Sequence, residues 1–230
     1  MKVAFCYSGM FRDFVDNIDN HIENLISGYD SDVYLSFWDI KGNGNFRNPV
    51  NVNDSKTIYE EEQKQVLEKL NPKFVEYEHF LPMERLFKNI ELERDNVRDA
   101  PPFMRNILSM YYKIKRCGDV VESSGIDYDL VVRLRSDLHF NEKIQLEPMK
   151  PNTVAYNNFG EWNWSNSFDD KFFYGDLQTM NEVKNLYENL DNVWDLAGLH
   201  YGVAPETLFY KFLEMRNFIT YPVKINYNIT

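Results

Sequence analysis

The sequence contains few of the residues on which disulfide frameworks, zinc sites and nucleic-acid surfaces depend. Its two cysteines, Cys6 and Cys117, suggest neither a disulfide framework nor a zinc pattern, and they favour a reducing compartment. The 25 basic residues are outnumbered by 36 acidic ones, and the net charge of −11 argues against binding to nucleic acid or to anionic membranes. No apolar run reaches transmembrane length, and residues 2–7 resemble a first strand more than a signal peptide. We therefore expect a soluble, cytoplasmic protein.

The short motifs of several large enzyme classes are also missing. There is no G-x-G-x-x-G fingerprint and no phosphate-binding P-loop. Hydrolase triads and zinc sites receive no support, because no G-x-S-x-G, H-E-x-x-H or C-x-x-C pattern occurs.

Hydrophobic periodicity predicts an α/β fold. The first eighty residues alternate strand, helix, strand, helix, strand, which implies right-handed crossovers and a mainly parallel central sheet flanked by helices. The predicted strands cover 2–7, 32–37, 73–77, 129–135, 153–156, 171–174 and 219–225. The predicted helices cover about 14–25, 55–70, 103–124, 176–190 and 205–216.

The most informative segment is the one from Val131 to Phe140, where an apolar strand ends in charged residues. Side chains alternate along a strand, so Arg133, Arg135, Asp137 and His139 are predicted to share one face. Such a cluster is costly without partners, and ligands bind at the carboxyl edge of open sheets. Arginines suit a diphosphate and aspartate suits the divalent metal that bridges it. The structural alternative is a buried ion-pair network.

Three further segments carry candidate nucleotide-binding residues. Ser8, Gly9 and Arg12 lie at a strand-to-helix junction, where the backbone can approach an anion closely and an arginine can bind phosphate. Asp39 follows the second predicted strand and could bind a base or a ribose hydroxyl. Two candidates on the polar side of the helix 103–124 could converge on a nucleotide, although a solvated helix face is the commoner explanation. These two are Tyr112 and Lys113.

The second half of the chain offers candidates for sugar binding and acid–base chemistry. Trp162 and Trp164 are interspersed with asparagines, a mixture that suits a sugar ring. Asp169, Asp170 and Glu206 are candidates for the carboxylate that deprotonates an acceptor hydroxyl. Exposed acids in loops are common, however, and the two tryptophans could instead only anchor their own loop.

Together these segments resemble the small GT-A-type glycosyltransferases, including those encoded by large algal DNA viruses and found in bacterial polysaccharide loci. The matching segments are 8–12, 34–39, 128–137, 170–175 and 205–208. The resemblance implies one GT-A-like, Rossmann-like domain over 1–230, with a donor half at about 1–140 and an acceptor half at about 141–230. It also implies a nucleoside diphosphate sugar donor, most plausibly UDP-linked, a glycan acceptor and, for a viral protein, the host cytoplasm.

Enzymes of this type bind Mn²⁺ or Mg²⁺ and the donor diphosphate through a D-x-D signature. The corresponding residues here are Arg135, Ser136 and Asp137, so the first acid is replaced by an arginine. Only Asp137 carries over as a metal ligand, with His139 as a possible second one, and the arginines could take over part of the charge neutralisation. Two other functions stay open: a sugar-phosphate nucleotidyltransferase, whose glycine-rich first loop is poorly matched, and a non-catalytic glycan-binding module using the two tryptophans.

Overall fold

The computed structural model describes residues 1–42, 57–83, 103–158, 168–196 and 205–230. Its strands are β1 (Lys2–Gly9), β2 (Asp30–Trp38), β3 (Phe74–Glu78), β4 (Leu130–Leu134), β5 (Leu138–Phe140), β6 (Thr153–Asn157), β7 (Phe172–Gly175), β8 (Ile219–Val223) and β9 (Tyr227–Ile229). Within these ranges, seven strands form one sheet in the order β3-β2-β1-β4-β7-β6-β8, and β5 pairs separately with β9.

The sheet is mainly parallel, as predicted. β1 pairs in parallel with β2 and with β4, and β2 pairs in parallel with β3. β7 is the exception, because it runs antiparallel to both β4 and β6, while β8 is parallel to β6. β1 and β4 are covered on both faces, which explains why they appear in the sequence as almost continuous apolar runs.

The helices of the described residues are α1 (Phe14–Asn24), α2 (Glu60–Leu70), α3 (Phe103–Ser123), α4 (Leu177–Val183), α5 (Leu190–Leu196) and α6 (Pro205–Met215). Two short 3₁₀ helices span Ile26–Gly28 and Lys184–Asn189. None of these helices is long and apolar enough to cross a membrane.

Helices lie on both faces of the sheet. Phe14 and Ile18 of α1 belong to one buried cluster together with Val66 of α2. Ile107 of α3 and Phe209 of α6 belong to the cluster on the opposite face. The connections from β1 to β3 therefore run on one side and the connection to β4 on the other. This reversal makes the boundary between β1 and β4 the topological switch point, where sheets of this kind bind ligands.

The structure corrects several sequence-based boundaries. The strand predicted at 129–135 ends at Leu134, and a turn follows before β5, so the four polar residues predicted to share a face do not lie on one continuous strand. α2 begins at Glu60, where the side chain of Glu62 accepts a hydrogen bond from the backbone N–H of Tyr59, and the first two residues of the predicted helix, 55–56, lie outside the described residues.

Two further differences concern the second half of the chain. The single helix predicted for 176–190 is instead α4 followed by a 3₁₀ helix, and α5 continues the chain from Leu190 to Leu196, beyond the predicted end. The small β5–β9 sheet was not predicted, because three-residue strands leave almost no periodic signal in a sequence.

Candidate active site

The loops after β1 and β4 are joined at the switch point. Gly9 has a φ of 118° and Arg12 a φ of 51°, so both loop residues adopt backbone conformations that side chains disfavour. The backbone N–H of Arg12 donates to the carbonyl of Lys41 at 2.9 Å, which holds it there. Ser136 completes the junction, since its hydroxyl group lies 2.9 Å from the carbonyl oxygen of Phe11. The two loops therefore form one structural unit.

Arg135, Asp137 and Arg12 form an ion cluster on this unit. Arg135 binds Asp137 in a bidentate manner, with its Nε 2.9 Å from Oδ1 and its Nη2 in contact with Oδ2. Arg12 approaches the same carboxylate, with Nη1 3.4 Å from Oδ2. The side chain of Asp137 is 1% exposed, that of Arg135 10% and that of Arg12 23%. The acid is therefore the least exposed member of the cluster, and Arg12 is the most exposed one.

The charges of this cluster perturb one another. Burial alone would raise the pKa of the Asp137 carboxyl, but the charges of Arg135 and Arg12 hold this pKa below its usual value. Burial, followed by repulsion from Arg135, lowers the pKa of Arg12 to about 10. Burial and the neighbouring charge of Arg135 thus both disfavour the charged form of Arg12, and an anion bound beside it would favour that form.

Arg133 lies on the α3 side of the sheet, apart from this cluster's hydrogen bonds. Its Nε is 3.5 Å from the hydroxyl of Ser8, and its Nη1 donates to the backbone carbonyl of Asp170. Arg133 is buried and borders a cavity of about 20 Å³. That volume accommodates a single water molecule and is far too small for a nucleotide. Arg133 and Ser8 were predicted to bind the nucleotide, but both are buried beside this small cavity. They therefore support the loops of the site and do not line a nucleotide pocket.

The three candidate acids converge on a lysine that the sequence interpretation missed. The Nζ of Lys171 lies 3.3 Å from Asp169, 3.5 Å from Asp170 and 3.6 Å from Glu206. Burial opposes the charge of this lysine, but the three carboxylates together hold the pKa of Lys171 above its ordinary value. Asp169 is further occupied, because it accepts the hydroxyl of Tyr227 and the backbone N–H of Lys171.

Glu206 is the most accessible of the three acids, with 32% of its side chain exposed, against 13% for Asp169 and 5% for Asp170. Burial and then the charge of Asp170 raise the pKa of the Glu206 carboxyl, although the exposed part of the side chain limits this effect. The start of α6 is anchored by Tyr111, whose hydroxyl donates to the carbonyl of Pro205 at 2.7 Å. A raised pKa on an accessible carboxyl is what a general base requires.

The antiparallel pairing of β7 with β4 brings the acids and the arginines together. Leu134, the last residue of β4, is opposite Phe172, so the segment before β7 lies beside the segment after β4. The backbone N–H of Arg135 donates to the carbonyl of Lys171 at 3.0 Å. A region of cations and a region of acids therefore adjoin at the carboxyl edge of β4. No local pattern indicates that β7 is reversed, and the places of Lys171 beside the acids and of Tyr227 on β9 depend on strand pairings that a sequence does not reveal.

Asp39, Tyr112 and Lys113 make their described contacts around β3, away from the arginines. Asp39 accepts the backbone N–H of Phe80 at 3.0 Å and pairs with His79. The hydroxyl of Tyr112 donates to Glu78 at 3.0 Å. The Nζ of Lys113 is 2.9 Å from the same glutamate and is fully buried. Since β3 ends at this edge of the sheet, these residues lie at the carboxyl edge, but β2 and β1 separate β3 from β4.

The remaining predicted residues are not brought to the site. His139 lies on β5, and its ring nitrogens face Asn17 and Asn20 of α1, at 3.2 and 3.4 Å. This position differs from the predicted one beside Asp137, because the turn after β4 redirects the chain. Trp162 and Trp164 lie outside the described residues.

The donor set around Asp137 does not fit a divalent metal ion. Both carboxylate oxygens are paired with guanidinium groups. A dication that displaced one guanidinium group would still be repelled by the other one, by roughly 8 kcal/mol at about 4 Å and an effective dielectric constant near 20, which offsets part of its attraction to the carboxylate. In the described part of the chain, no three His, Cys, Asp or Glu side chains are placed to hold a metal ion. The predicted roles of Asp137 and His139 as metal ligands thus lack a matching geometry.

Comparison with known proteins adds no assignment. No protein-family model matches the chain, and no significant similarity to a curated protein is found. The described residues define an α/β protein with a mostly parallel, Rossmann-like sheet and a charged site at its switch point.

Proposed function

We propose that this protein is a glycosyltransferase that moves a sugar from a nucleoside diphosphate sugar, most plausibly UDP-linked, to a hydroxyl of a glycan acceptor. The observation that carries the proposal is the adjacency of two arginines and an accessible glutamate at the switch point of the sheet. Arginines beside a buried acid suit a diphosphate leaving group, and a carboxyl with a raised pKa suits proton removal from an alcohol.

On the donor side, Arg12 and Arg135 would contact the diphosphate. The φ of 118° at Gly9 shapes the loop, and no atom of the described residues lies within 4 Å of a Cβ built there. The open space beside this backbone allows a ligand to approach it closely. Fixed positive charges at the leaving group are the strongest catalytic contribution expected here, because they need no reorganisation during the reaction.

On the acceptor side, Glu206 would act as the base. The acceptor oxygen forms a bond to the anomeric carbon of the sugar, and the bond from that carbon to the diphosphate oxygen breaks. The proton of the acceptor hydroxyl passes to Glu206, and the nucleoside diphosphate leaves with the bonding electrons. Asp169 and Asp170 would hold Lys171 beside this base, and no step requires a metal.

Thermal unfolding with nucleoside diphosphates tests the donor side of this proposal. At a hundred times its dissociation constant, a ligand raises the free energy of unfolding by about 2.7 kcal/mol. In a chain of this size that corresponds to a shift of roughly 5–10 °C in Tm. We expect such a shift with at least one of UDP, GDP, CDP and ADP, and none with uridine, which lacks the diphosphate. Absence of any shift would contradict the proposal.

The reaction itself is tested with a panel of nucleotide sugars, by measuring the release of the nucleoside diphosphate. Release that increases with a glycan acceptor, and that falls in a Glu206→Gln variant, is the expected result. Pyrophosphate release from a nucleoside triphosphate and a sugar phosphate would instead identify a nucleotidyltransferase. Glycan binding without nucleotide binding would identify a non-catalytic module.

A further inference from the structure

Resting on the proposed function, we propose that the donor diphosphate is bound by the guanidinium groups of Arg12 and Arg135 without a divalent metal ion. In this proposal, Asp137 is a positioning residue for the two arginines. It occupies the place of the metal-binding acid of the GT-A signature but performs a different task.

The order of charges from the interior to solvent supports this assignment. Asp137 is 1% exposed, whereas the arginine side chains that cover it are 10% and 23% exposed. Arg12 is thus the member of the cluster that solvent reaches most, so an anion can contact its guanidinium group. The two oxygens of Asp137 are already paired with arginines, so a cation would compete with them for the carboxylate.

The geometry also fixes where the arginines lie before a ligand arrives. The carboxylate of Asp137 holds Arg135 through two bonds, so its planar group cannot rotate freely. The turn that carries Asp137 is itself held, because Ser136 bonds the loop after β1 and the backbone N–H of Thr230 donates to the Asp137 carbonyl at 3.1 Å. Arginine forms strong charge-assisted bonds to phosphate, and a guanidinium group whose position is already fixed binds with a smaller loss of entropy.

The electrostatics point in the same direction. Burial, and then the charge of Arg135, lower the pKa of Arg12 to about 10, so this guanidinium group is largely desolvated and lies close to a second positive charge. A diphosphate on the solvent side of the two arginines would reduce their mutual repulsion, and a divalent cation in the same place would add to it.

Isothermal titration calorimetry with UDP, and with GDP, CDP and ADP in parallel, tests the proposal on the full chain. The titrations are made in EDTA, in Mn²⁺ and in Mg²⁺. We expect the dissociation constant of the binding nucleotide to differ by less than about threefold between EDTA and either metal. Binding that is at least tenfold tighter with metal would overturn the inference and leave the glycosyltransferase proposal intact. Binding of no nucleoside diphosphate under any condition would overturn both.

Two variants separate positioning from metal ligation. Arg12→Ala should weaken nucleotide binding at least tenfold, by the same factor in EDTA and in Mn²⁺. Arg216→Ala is the matched control: this exposed residue directly follows α6, about 15 Å along the helix axis from Glu206, and its loss should change binding less than twofold. A tenfold loss in this control as well would show that only overall charge matters, which would overturn the inference.

Asp137→Asn provides the second measurement. If Asp137 positions the arginines, this variant weakens binding equally in EDTA and in Mn²⁺. If Asp137 binds a metal, the loss appears only in Mn²⁺, which would refute the inference. Because the variant leaves two arginines without their buried partner, its melting curve is recorded first, and Arg12→Ala decides the question if Asp137→Asn does not fold.

Discussion

Replacing Lys171 with methionine tests whether this lysine organises the acid cluster. Its ammonium group lies 3.3–3.6 Å from three carboxylates. Each of these contacts has a gross Coulomb energy of about 4–5 kcal/mol at an effective dielectric constant near 20, and desolvation of the charges offsets much of it. Removal of one partner from a buried pair usually costs about 3–5 kcal/mol. Since Lys171 is 19% and Glu206 32% exposed, we expect the lower end, about 3 kcal/mol at pH 7.

The loss of stability in Lys171→Met should be larger at neutral pH than at acidic pH. The pKa of Lys171 is raised in the folded protein, so its stabilising contribution is complete below the pKa of an unfolded lysine and disappears only as the pH rises through the folded value. Near neutral pH the contribution is therefore fully present. On acidification Glu206, whose pKa is raised by burial and then by the charge of Asp170, takes up a proton, so the difference in stability between the variant and the wild-type protein should shrink.

Urea unfolding at pH 7 and pH 4 measures both quantities. Lys64→Met is the matched control, because Lys64 and its partner Glu68 are 74% and 65% exposed and lie 3.7 Å apart. Such a surface pair contributes less than about 0.5 kcal/mol. Lys171→Arg, which keeps the charge, should recover most of the lost stability. A loss below about 1 kcal/mol in Lys171→Met at pH 7, or a loss that is undiminished at pH 4, would refute the reasoning.

Three further predictions follow from single residues. Glu206→Gln should lower turnover by roughly 10²–10⁴-fold and leave nucleotide affinity unchanged. In the wild-type protein the rate should rise with pH as Glu206 loses its proton. This rise should occur at a higher pH than for a free glutamate, because burial and Asp170 raise the pKa of Glu206. His21 is neutral at pH 7, since burial lowers its pKa to about 4, and the unfolded chain takes up a proton near pH 6.5. Stability should therefore fall by up to about 3 kcal/mol between pH 6.5 and pH 4, and urea titrations of His21→Gln should lack this component. Gly9→Ala should cost about 1–3 kcal/mol in urea unfolding, because a φ of 118° strains any side chain, and an unchanged stability would contradict the described loop.

The outcome for individual candidates shows where sequence-based inference stops. Asp169, Asp170 and Glu206 were selected one by one, and the structure brings them around a single lysine. Their convergence depends on contacts between segments about 35 residues apart, which no local pattern encodes. For the same reason, the sequence could name Tyr112 and Lys113 as a polar helix face but could not identify Glu78 as their partner.

The amino-acid sequence by itself determined the α/β class, the buried strands and the presence of a charged segment after β4. It did so because side-chain periodicity and apolar runs are local properties that follow directly from backbone geometry. Only the tertiary structure decided that β7 runs antiparallel, that Arg12 and Arg135 flank one buried carboxylate and that Lys171 lies among three acids. Those arrangements depend on strand order and register, through which distant charges become neighbours and replace their lost hydration with one another.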